Sequence, residues 1–69
     1  MISIQPSTLE TLARAYENLQ PIIADLYVEF EKAMENENYS DASLLQSRAE
    51  RLFEEAEAIL IVIAEQENG

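Results

Sequence analysis

Apolar residues recur through the N-terminal half at Leu9, Leu12, Tyr16, Leu19, Ile23, Leu26, Phe30 and Ala33, in alternating steps of three and four. The same stepping returns at Ala42, Leu45, Ala49, Leu52, Ala56, Ile59 and Ile63. Such steps keep side chains on one face of a helix but scatter them over both faces of a strand, so the pattern predicts two amphipathic helices, each with a heptad seam. Between the two runs lies Asn36-Glu37-Asn38-Tyr39-Ser40-Asp41, a cluster of turn and cap formers. The one glycine is Gly69 and the prolines are Pro6 and Pro21, so few turns are encoded. The expected layout is a single domain over residues 1–69: an arm over 1–6, a first helix over 7–36, a turn over 37–40 and a second helix over 41–67. A turn that short sets the helices antiparallel.

Local signals refine the ends. Ser7-Thr8-Leu9-Glu10 has the spacing of a capping box. Asn36 or Asn38 suits the left-handed position that closes a helix. Ser40 is a good N-cap, and Asp41 then meets the positive end of the second helix dipole. Tyr39 and Leu44 have the spacing of a hydrophobic staple around that cap. Pro21 removes an amide donor and crowds the carbonyl of Glu17, but the seam continues on both sides of it, which predicts a kink near Pro21. The alternative is two shorter helices meeting near Gln20.

The seams are complementary in size. The first helix offers Tyr16, Ile23 and Phe30, while the second alternates alanine with leucine or isoleucine, and alanines allow close approach. The fold class expected is all-α, an antiparallel helical hairpin. One seam does not use all the apolar surface, however. Ala13, Ile22, Tyr27 and Met34 flank the first seam, and Leu44, Phe53, Leu60 and Val62 flank the second. Stripes of that width belong to bundles, so the hairpin is expected to associate into a homodimeric four-helix bundle or to dock on a partner. The run Ile59-Leu60-Ile61-Val62-Ile63 is apolar on every face. Phe53, Leu60, Ile61 and Ile63 are the residues expected to touch a partner, and Ile61→Asp is expected to keep helicity and lose copurification.

Composition narrows the chemistry. The chain has 69 residues, 14 acidic and 4 basic, for a net charge of −10, with no histidine or cysteine. No thiolate, imidazole base or usual zinc ligand set exists, and no metal or cofactor is expected. Glu50, Glu54 and Glu57 share a helix face but lack the histidine that carboxylate bundle sites use, and Arg48 and Arg51 stand beside them. They read as solvated surface, as do Glu29, Glu31, Glu35 and Glu37. The acidic balance argues against nucleic acid and anionic membranes as partners. No apolar run approaches the roughly 18 residues of a membrane span, no signal sequence is visible, and a cytoplasmic setting is the expectation. No catalytic constellation and no small-molecule site is expected. A chain of this size is expected to bury only about 60% of its unfolded surface.

Two resemblances add to this. The alanine and leucine layering of the seam resembles the Rop-type dimeric hairpin at the level of fold, but Arg14, Lys32, Arg48 and Arg51 are scattered among acids, so its RNA binding is not implied. The stretches LETLARAYENLQPIIADLYVEFEKAMEN over residues 9–36 and EEAEAILIVIAE over residues 54–65 resemble the small helical-hairpin cochaperones of type III secretion needle subunits, the YscE- and SsaE-like proteins. That resemblance implies a hairpin that pairs with a tetratricopeptide-like chaperone, the pair holding a secreted needle subunit in the cytoplasm. The second class of function is a self-contained homodimeric regulator, or an acidic phage-type protein that occupies a basic protein partner.

Overall fold

The computed structural model describes residues 4–68, with side chains through residue 66. The start of the expected arm, residues 1–3, lies outside them. Two helices account for nearly everything else: α1 over Pro6–Glu35 and α2 over Tyr39–Asn68. They pack along their whole length as an antiparallel hairpin with extents of 49 × 18 × 14 Å. The long dimension is that of one helix, since 30 residues at ~1.5 Å each span about 45 Å.

The seam is where the periodicity put it. Every residue of both heptad runs is buried or half-buried, and the most enclosed are Ile23, Ala33, Ala42, Ala49 and Ala56. Four of those five are alanines, because a methyl disappears between closely spaced helices while Leu45 or Phe30 still reaches past the contact into solvent. No polar side chain is buried among the described residues. The seam is therefore held by apolar burial without internal polar networks.

The helix ends differ from expectation by one or two residues, each for a local reason. α1 starts at Pro6, with Gln5 as its N-cap and no side-chain cap bond. The amides of Thr8 and Leu9 donate to the Gln5 carbonyl. Proline fits the first helical position because its φ is preset and its missing N–H would be unpaired there anyway. Ser7 thus lies inside the helix, where its carbonyl accepts from Thr11 Oγ1 at 2.9 Å, and the expected capping box does not form. α1 ends in a Schellman motif: the Asn38 amide donates to the Ala33 carbonyl, and the Glu37 amide to the Met34 carbonyl. The left-handed residue is Glu37, at φ 61°, where the sequence pointed to Asn36 or Asn38.

α2 starts at Tyr39, since the Asn38 carbonyl already accepts from the Ala42 amide. Ser40 is therefore not the cap but part of the first turn, together with Asp41. With the start moved, Tyr39 and Leu44 no longer bracket a cap, and both are exposed, so the staple does not form. α1 runs unbroken through Pro21, as one helix and not two meeting near Gln20. Its ring faces solvent, and the Gln20 side-chain amide donates back to the Tyr16 carbonyl at 3.4 Å. At the open end the Ile4 amide donates to Gln66 Oε1 at 3.4 Å, tying the start of the chain to α2.

The hairpin is open for its size. It exposes 5358 Å², whereas a folded monomer of 7.8 kDa typically exposes about 4,400 Å². It buries about half of its unfolded surface, less than the roughly 60% typical of such a chain.

Candidate functional site

The surface left over by the seam is not evenly apolar. In each helix the residues one step after the even members of the seam form one flank, about 40° from the odd members. On α1 these are Ala13, Gln20, Tyr27 and Met34; on α2 they are Tyr39, Gln46, Phe53 and Leu60. In an antiparallel pair, a two-fold axis normal to the plane of the helices keeps both of these flanks on the same side of the hairpin. Tyr27, Met34, Tyr39, Phe53 and Leu60, five of the exposed large apolar residues, therefore share one face. That face carries no charged residue between Ala13 and Leu60.

Axial position shows that the five make a stripe. Glu35 and Tyr39 bracket the turn, so residues whose numbers sum to about 74 lie level. Tyr39 then adjoins Met34, Phe53 adjoins Gln20, and Leu60 lies near Ala13. Tyr27 falls between the first two pairs. The stripe is about 32 Å long and presents roughly 500 Å² of apolar side chain, at the upper end of what monomers leave wet. The opposite flank, residues 8, 15, 22 and 29 on α1 and 41, 48, 55 and 62 on α2, includes Glu29, Asp41, Arg48 and Glu55.

The four residues expected from sequence to contact a partner fall on three faces. Phe53, 52% exposed, and Leu60, 41% exposed, stand on the charge-free flank. Ile61, 56% exposed, points to the outer side of α2, since adjacent helical residues differ by ~100°. Ile63 is half-buried on the seam. Sequence reasoning left out Tyr39 from the contact set, treating it as part of a cap. It is 60% exposed and extends the stripe to the turn.

Other candidate chemistry is thin. A shallow polar depression lies on the outer face of α2, lined by Ser47, Arg48, Glu50, Arg51 and Glu54, all from one helix. The Ser47 hydroxyl there donates to the Leu44 carbonyl. Among the described residues, no three carboxylates are gathered in a way that could hold a metal ion. Lys32 and Glu29 form an exposed ion pair at 3.4 Å, one turn apart on α1. No helix among the described residues is long and apolar enough to cross a membrane. Compared with protein-family models, with curated proteins and with solved structures, the chain matches none.

Proposed function

We propose that this hairpin is a non-catalytic protein–protein interaction module. It works as the type III secretion cochaperones it resembles do, pairing with a tetratricopeptide-like chaperone so that the pair holds a needle subunit soluble in the cytoplasm. The observation that supports this is the charge-free stripe of Tyr27, Met34, Tyr39, Phe53 and Leu60 beside a seam whose larger residues stay half-exposed. The hairpin also exposes about 1,000 Å² more than a compact monomer of its mass, against the ~800 Å² that one partner buries in a standard interface. Helix-in-groove burial is the mode that suits such a stripe.

The test is coexpression of the tagged chain with its candidate chaperone, comparing wild type with Leu60→Asp. A charge placed on the stripe is expected to leave the far-ultraviolet circular dichroism unchanged and to remove the partner from the purified complex. Retention of the partner by a folded Leu60→Asp chain overturns the proposal.

A further inference from the structure

The charges around the stripe are sorted by sign. The residues that border it on its outer sides are those one step after the odd members of each seam, about 100° round the helix. On α1 they are Glu10, Glu17, Ala24 and Glu31, and on α2 they are Ser43, Glu50, Glu57 and Ala64. Five of these eight are carboxylates and none is basic. The basic residues all stand elsewhere: Arg14, Lys32 and Arg51 on the outer sides of their helices, and Arg48 on the opposite flank. A chain with only 4 basic residues has kept every one of them off the border of its apolar face.

This arrangement bears on what covers the face. A second copy docked face to face would bring the borders together, Glu10, Glu17 and Glu31 against Glu50 and Glu57 or against their own equivalents. Like charges juxtaposed around an interface oppose association, whereas opposite charges steer and select it. The stripe is formed by two tracks of side chains, one on α1 and one on α2, and helices pack by laying the ridge of one into the groove between rows of side chains on its neighbours. The positions flanking such a ridge would lie over the two carboxylate borders.

We infer that the charge-free flank takes a single amphipathic helix of another protein, whose apolar stripe is edged by lysine or arginine, and not a second copy of this chain. The inference rests on the interaction role proposed above and adds the surface and the chemistry of its occupant. The contacts are Tyr27, Met34, Phe53 and Leu60 on the two tracks, with Glu17, Glu50 and Glu57 on the borders.

The test uses the full chain and two synthetic 28-residue helical peptides that share a leucine stripe. One carries lysine on both sides of the stripe and the other glutamate. Fluorescence anisotropy at low salt is expected to show the lysine-edged peptide binding at least about 100-fold more tightly, with the difference shrinking as salt screens the borders. Phe53→Glu is expected to abolish binding, Ile61→Glu to leave it unchanged, and Glu50→Lys with Glu57→Lys to narrow the preference or reverse it. Sedimentation of the wild-type chain alone is expected to show a single chain. Equal affinity for the two peptides, or binding that survives Phe53→Glu, overturns the inference. So does a two-chain species that Phe53→Glu returns to one chain, although a self-association of that kind leaves the flank as an interaction surface. If neither peptide binds and the folded chain stays single, both the inference and the interaction role fall.

Discussion

Ala49 is fully enclosed at the middle of the seam, with 0% of its surface exposed, and it is the position at which the hairpin is least able to absorb volume. Ala49→Leu adds three carbon atoms where the opposing surface is α1 near Leu26. Helix axes that touch through alanine can approach to about 8 Å, while leucine contacts hold them near 10 Å. Either the leucine adopts a strained rotamer or the helices part locally. Parting by even 0.5–1 Å removes about a quarter to a half of the dispersion energy at each neighbouring contact, which here means Leu26, Leu45 and Leu52. Overpacking of this kind costs about 1–3 kcal/mol. For a 69-residue chain the whole folding free energy is on the order of 3–10 kcal/mol. The loss is thus a large share of the total and lowers the melting temperature by roughly 5–20 °C. The matched control is Ala58→Leu, the same change on the same helix at an exposed site, expected to stay within about 0.5 kcal/mol of wild type. Thermal melts followed by circular dichroism at 222 nm, with urea titrations for the free energies, measure both. Equal melting of the two variants would refute close alanine-mediated packing of α1 on α2.

Three further predictions concern the turn, the proline and the surface. Glu37 sits in the left-handed region at φ 61°, where a side chain costs about 1–2 kcal/mol. Glu37→Gly is therefore expected to stabilise the hairpin by about 1 kcal/mol after the added freedom of the unfolded glycine, and a urea midpoint that falls would contradict the Schellman closure. Pro21 costs about 3 kcal/mol in a helix interior. Pro21→Ala should recover about 2 kcal/mol of it, since the unfolded chain gains entropy, and hydrogen exchange should then show the residue-21 amide protected. Lys32→Gln breaks an exposed ion pair and should change stability by less than about 0.5 kcal/mol, as a denaturation curve will show.

The hairpin was legible because a period of three and four over eight and seven residues leaves one face per helix, and burial follows that face. The helix ends were less legible. Asn36 and Asn38 both tolerate a left-handed backbone better than Glu37, and local preference alone favours them. The Schellman bonds to Ala33 and Met34 instead place the left-handed residue by counting from where α1 stops. Ser40 and Ser7 were good caps by type but stood one or two residues inside helices that started earlier, at Tyr39 and after Gln5. The exposed flank was legible residue by residue but not as a surface. Tyr27 and Phe53 are 26 positions apart in the sequence, and only the antiparallel closure puts them on the same side. Conversely, Leu60, Ile61 and Ile63 belong to a run that is apolar on every face, so helical geometry spreads them over the flank, the outer side and the seam.

The thinness of the core and the form of the charged surface belong to one physical situation. Ile23 and four alanines are the only residues of the described chain that are buried outright, and the larger seam residues, Leu19, Leu26, Leu45, Leu52 and Ile59 among them, remain half-exposed. A hairpin built this way folds on a narrow margin, and any helix laid over the charge-free flank also covers the exposed sides of those seam residues. Binding and folding are then linked: an occupant present at 100 times its dissociation constant adds about 2.7 kcal/mol to stability, comparable with the margin itself. The carboxylates bordering the flank act on both sides of that linkage. On the inference drawn above, they would oppose the docking of two unoccupied hairpins through an apolar stripe about 32 Å long, and a surface that brings positive charge would relieve that repulsion. On that inference the −10 charge of the chain acts less through its size than through its placement, because the same excess spread evenly over the hairpin would repel other copies equally well and select no partner.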